Sequence, residues 1–95
     1  MTSQTTAIFV VSQPSKKQLD NLGVFSWSIW TKEVSEFPWT YDEAETCYFL
    51  AGEVAVTTDD GEVATMGKGD LVTFPAGISC TWKVIQPVEK HYKFG

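Results

Sequence analysis

A chain of 95 residues supplies one hydrophobic core and no more, so a single domain over residues 1–95 is expected. Hydrophobic side chains at 43%, with 14% aromatic, exclude a disordered chain, and they are never gathered into a membrane span. Twelve acidic against seven basic side chains leave a formal charge of -5, the wrong sign for a phosphate backbone, so neither nucleic acid nor a membrane is an expected partner.

Met1 to Val11 has neither the positive start nor the long apolar core of a secretory signal, and it lacks the arginines of a transit peptide. A cytoplasmic location is expected, with a mature organelle protein as the alternative. Gln13-Pro-Ser-Lys-Lys-Gln-Leu-Asp-Asn-Leu-Gly23 is the one helical stretch. Ser15 can cap it, Leu19 and Leu22 share a face, and Gly23 ends it.

From Val24 onward, short segments rich in Val, Ile, Thr and aromatic residues alternate with Gly, Pro and Asp punctuation, which predicts an all-β domain. From Glu45, the set Glu45, Cys47, Phe49 points one way and Thr46, Tyr48, Leu50 the other. Both faces are partly apolar, so one is expected to line an interior and the other to meet a second sheet or a second subunit. A homodimer formed by sheet packing is the expected assembly. Glu53 to Thr58 and Glu62 to Met66 flank the turn Asp59-Asp60-Gly61, the clearest hairpin in the chain. Gly67-Lys-Gly69-Asp70 and Pro75-Ala-Gly77 are further turns, each feeding a strand. One short helix cannot cover such a sheet, so a small sandwich or a closed barrel follows. The two cysteines, Cys47 and Cys80, have no CxxC spacing and read as small buried hydrophobes.

Three strings carry a resemblance: Glu45-Thr-Cys-Tyr-Phe-Leu-Ala-Gly-Glu53, Gly69-Asp-Leu-Val-Thr-Phe-Pro-Ala-Gly77 and Cys80-Thr-Trp82, followed by the closing Lys90-His-Tyr92. Over Phe25 to Tyr92 the chain resembles the small single-domain cupins named after the (S)-ureidoglycine aminohydrolase cupin domain. The resemblance implies a cupin-type, RmlC-like jelly-roll β-barrel with one short N-terminal helix, its core over residues 25–94. Glu45 and Gly52 keep two anchors of the first cupin motif, and Gly69, Pro75 and Gly77 keep those of the second. Trp39 and Tyr41 stand where that first motif has its two histidines and Glu33 where it has its leading glycine. In the second motif Cys80 replaces the histidine and Val84 the asparagine. Of the three imidazoles and one carboxylate that hold the usual cupin metal, Glu45 alone survives, and one carboxylate does not hold a catalytic divalent ion.

In that register Trp39, Tyr41, Glu45, Cys47, Cys80 and Trp82 project inward, making an aromatic pocket with one carboxylate and two thiols, suited to a small organic ligand. Each residue also has a plainer role: the aromatic rings can simply fill a small barrel, and Tyr41 can donate to Glu45 in a structural pair. Glu45 is the candidate general acid, general base or ligand anchor. A reactive thiolate at Cys47 or Cys80 would need a cationic neighbour, for which only Lys90 and His91 are candidates. His91, the sole histidine, is either a structural ring or a pocket base and weak metal ligand. The expectation is a cupin that binds an unidentified small molecule and needs no cofactor. The alternatives are an enzyme with an altered divalent-metal site at Glu45, Cys80 and His91, and a structural or partner-binding dimer subunit.

Overall fold

The computed structural model describes residues 8–95, so the expectation for Met1 to Val11 falls largely outside the described residues. Seven strands form one antiparallel sheet: β1 (Phe9–Ser12), β2 (Ser28–Lys32), β3 (Ser35–Thr40), β4 (Glu45–Thr58), β5 (Val63–Gly67), β6 (Asp70–Phe74) and β7 (Ser79–Phe94). The order is β1-β6-β4-β7-β2, with β3 also on β7 and β5 also on β4. This is the all-β jelly roll expected from the strand pattern. No helix among the described residues is long and apolar enough to cross a membrane.

The one α-helix, α1 (Lys16–Leu22), lies inside the predicted stretch. Ser15 Oγ accepts from Gln18 N at 3.1 Å and Gln18 Oε1 accepts from Ser15 N at 2.9 Å, a reciprocal box that satisfies two otherwise orphaned donors. Gly23 takes the left-handed conformation and closes the helix with a bond from its N–H to Asp20 O. Leu19 is buried, whereas Leu22 stays about half exposed.

The long strands β4 and β7 form the spine, paired from Glu45↔Phe94 to Thr58↔Cys80. Their register slips between Phe49 and Val54. Before the slip the buried side chains of β4 are the odd ones, Glu45, Cys47 and Phe49; after it they are the even ones, Val54 and Val56. The irregularity lets one strand keep an apolar face inward as it turns around the core. Gly52, at φ 101°, makes it possible, because a Cβ there would come within 2.4 Å of the Pro87 carbonyl oxygen. The predicted hairpin is present as β4 and β5, paired from Glu53↔Gly67 to Thr57↔Val63.

Candidate functional site

Period-two alternation on β7 sends Cys80, Trp82, Val84, Val88 and Lys90 inward on the even positions, while Lys83 and Lys93 stay in water. Across β3, Phe37 pairs with Trp82 and Trp39 with Cys80. Across β4, Phe49 pairs with Lys90, Cys47 with Tyr92 and Glu45 with Phe94. Tyr41 follows β3 and is held by the Pro75-Ala-Gly77 turn: its N–H donates to Ile78 O at 2.9 Å and its carbonyl accepts from Gly77 N at 2.6 Å. The motif turn thus fixes the ring at the barrel mouth.

These elements enclose a cavity of about 240 Å³ lined by Trp30, Phe37, Trp39, Tyr41, Trp82, Tyr92 and Phe94, with Glu45 and Lys90 as its charged residues. Trp82 is the hub. Phe37 stacks on it with centroids 6.1 Å apart, Phe49 at 6.4 Å, and Trp30 meets it edge-on at 5.8 Å. Its Nε1–H donates to Tyr41 Oη at 3.1 Å, and the Tyr41 ring stacks on Phe74 at 4.8 Å. Trp39 and Phe94 stand at the rim, each nearly half exposed.

Glu45 and Lys90 form a buried ion pair, Nζ to Oε2 at 2.9 Å. Cys47 completes a triangle: its thiol donates to the same Oε2 at 3.1 Å, and Lys90 Nζ donates to Cys47 Sγ at 3.1 Å. The ammonium also sits 4.7 Å from the Trp82 ring centre, 4.9 Å from Trp30 and 6.0 Å from Phe49. A buried ammonium is tolerated only with such compensation, here one carboxylate and three π faces. Burial pushes the Cys47 thiol well above its usual range, a shift that the nearby Lys90 ammonium opposes and the Glu45 carboxylate reinforces. Burial, with the Glu45 charge second, likewise raises the Tyr41 phenol. Burial raises the Cys80 thiol, reinforced by Asp59. All three groups are therefore neutral near pH 7.

Of the residues picked out by sequence, Trp39, Tyr41, Glu45 and Trp82 line the cavity, and Cys47 lies behind it, fully buried against the ion pair. Cys80 does not line it; its thiol faces the Trp39 carbonyl at 3.5 Å. His91 does not line it either, because its odd position on β7 turns it to the outer face. There Nδ1 donates to Trp27 O at 3.0 Å and Phe25 meets the ring edge-on. The expected Tyr41–Glu45 pair is replaced: the ammonium outcompetes a phenol for the carboxylate, and Tyr41 bonds Trp82 instead. Glu45, Cys80 and His91 do not converge, and no group of three or more His, Cys, Asp or Glu side chains among the described residues is arranged to hold a metal ion. The tetrad of the usual cupin metal does not fit here, since its one surviving carboxylate already carries a cation. Lys90 is the cavity-lining residue that the motif comparison passes over. Its signal was the even register shared with Trp82, which no other lysine of β7 has.

A jelly-roll barrel whose cavity is lined from β2, β3, β4 and β7, with Tyr41 between β3 and β4, carries the cupin fold. The chain belongs to the family of the EutQ-like cupin domain, which matches residues 19–92. It is 52% identical to a DUF861-family protein from Thermotoga maritima over 93% of this chain and 99% of that one, with a TM-score of 0.90. It is 27% identical to a putative ethanolamine utilization protein Q from Salmonella typhimurium LT2 over 70% of this chain and 53% of that one, with a TM-score of 0.63. No curated protein matches the chain.

Proposed function

We propose that this cupin binds a small, flat, uncharged organic molecule without a metal, the observation behind it being the neutralised Glu45–Lys90 pair at the base of an aromatic cavity. The charges cancel, so the site favours neither an anion nor a cation. Polar complementarity narrows the ligand further. Glu45 Oε2 takes both the Lys90 and Cys47 bonds, while Oε1 accepts none; no buried side-chain oxygen or nitrogen among the described residues lacks a partner, so Oε1 is an acceptor open to the cavity. Tyr41 Oη accepts from Trp82, which leaves its own proton to donate. One acceptor and one donor above stacked rings suit an amide, a urea or a lactam-like heterocycle. A cavity of about 240 Å³ is below the usual drug-sized range, which points to a single ring. From the narrower likeness to the (S)-ureidoglycine aminohydrolase cupin group we take the barrel and not the reaction.

The test uses untagged protein purified without chelator, with elemental analysis and a tryptophan-fluorescence titration with benzamide. The expected result is saturable quenching and no stoichiometric metal, with affinity falling about tenfold in Tyr41→Phe and in Glu45→Gln, the worth of one hydrogen bond each. Stoichiometric divalent metal that is lost in Glu45→Gln would overturn the reading.

A further inference from the structure

The ligand reading leaves one buried nucleophile without a task. Cys47 is fully buried and its thiol is neutral, so it cannot serve as a thiolate toward molecules in the cavity. Nor is it placed for an internal disulfide: it pairs with Tyr92 at one end of the β4–β7 ladder, whereas Cys80 pairs with Thr58 at the other, and both cysteines are free. What it touches is an amine. Lys90 Nζ lies 3.1 Å from Cys47 Sγ, and Glu45 Oε2 lies 2.9 Å from that nitrogen and 3.1 Å from that sulfur.

We infer that Cys47 and Lys90 are a modification site, joined by dioxygen into a covalent Sγ–O–Nζ bridge with Glu45 as the proton acceptor. Two heavy atoms already in contact, held by packing on both sides, can be spanned by a single oxygen atom with a small contraction. Glu45 first takes a proton from the Lys90 ammonium, leaving an amine. The thiol, the amine and one dioxygen then give S–O–NH and one water. Sulfur and nitrogen each give up two electrons, and dioxygen takes four. One of its oxygen atoms enters the bridge; the other leaves as water with the thiol hydrogen and one amine hydrogen. Dioxygen is small and apolar, and its route is the aromatic cavity that Lys90 and Glu45 line. The reaction turns the buried ion pair into a neutral carboxyl beside an uncharged nitrogen, so the polarity of the cavity floor becomes dependent on oxidation. This inference does not rest on the identity of the cavity's ligand.

The experiment is intact mass spectrometry of the full chain after incubation in air-saturated buffer, against an anaerobic control, followed by proteolytic mapping. The expected product is one oxygen heavier and two hydrogens lighter. It joins the Cys47 peptide to the Lys90 peptide and returns to the starting mass with dithiothreitol. It should persist in Cys80→Ser, vanish in Cys47→Ser and Lys90→Arg, and fail to form when the chain is aerated in urea. The wild-type peptide map decides the matter even if a variant does not fold. Oxygen adducts on Cys47 alone, a Cys47–Cys80 disulfide, or an unchanged Cys47 after prolonged aeration would each overturn the inference.

Discussion

Along the β4–β7 ladder, the end that carries Val54, Val56 and Val84 packs aliphatic side chains against Ala64 and Met66 of β5 and, opposite Val56, against the Trp82 ring, with no charge inside among the described residues. The end that carries Glu45, Cys47 and Lys90 has a charge pair, a thiol and a cavity in the equivalent inward positions. Both ends belong to the same two strands and share the same alternation. At the first, any apolar side chain of similar volume would serve. At the second, side-chain identity matters. Replacing a buried ion pair with hydrophobic residues is often neutral or stabilising, so folding stability alone does not account for the pair, and this supports the cavity role proposed for it.

The largest expected effect breaks this contrast directly. Lys90→Met leaves the Glu45 carboxylate buried without its cation and should cost about 3–5 kcal/mol in urea unfolding. The double variant Glu45→Gln with Lys90→Met removes both charges and should recover most of that loss. Across from Trp82, Val56→Ala should cost roughly 2 kcal/mol through lost burial and a small void. If Lys90→Met costs no more than Val56→Ala, the pair is not a compensated buried charge and the distinction between the two ends fails.

A second effect sharpens the comparison through pH. In the unfolded chain the Cys47 thiol ionises as the pH passes its ordinary value of 9.0, while in the folded chain burial keeps it protonated. The unfolded state therefore sheds a proton that the folded state retains, and stability falls as the pH rises above about 9, by up to about 1.4 kcal/mol per pH unit for this group. Below that value the contribution is fully present. Tyr41 and Cys80 shift in the same direction and add to the alkaline loss. Denaturant melts between pH 8 and 10.5 should show a shallower decline in Cys47→Ala than in wild type. An identical slope would mean that the thiol ionises as easily in the fold as outside it.

Much of this architecture is legible in the residues. The Ser15 and Gly23 caps, the Asp59-Asp60-Gly61 hairpin and the inward set Glu45, Cys47, Phe49 follow from local rules that tertiary structure did not override. The motif anchors also put Tyr41 and Trp82 on the inner face, where both side chains line the cavity. Lys90 is legible in the sequence as a candidate cation for a cysteine but not as a cavity residue, because a charged side chain is a poor prior for an interior position, and its burial is intelligible only once Glu45 and three aromatic rings are known to surround it. His91 misleads for the complementary reason. It is buried, but by Phe25 and the Trp27 carbonyl on the outer face, and burial alone does not reveal which side of a strand is covered. The slip around Gly52 changes the parity of β4, so alternation counted from Glu45 ceases to hold beyond Leu50.

The smallest effect concerns a segment that belongs to neither end. Ser15→Ala removes the acceptor for Gln18 N and breaks the reciprocal box at the start of α1. A cap of this kind is worth about 1 kcal/mol, and α1 has only seven residues, too few to hold its first turn by propensity alone. Global stability in urea should fall by that amount or less, with fraying of α1 visible as faster amide exchange at Leu19 and Asp20. Benzamide affinity should stay at the wild-type value, since none of the cavity-lining side chains comes from α1. A drop in affinity in Ser15→Ala would show that the helix supports the barrel mouth through the turn at Val24 to Ser26 and Trp27, whose carbonyl holds His91, and would make the outer face of β7 part of the site.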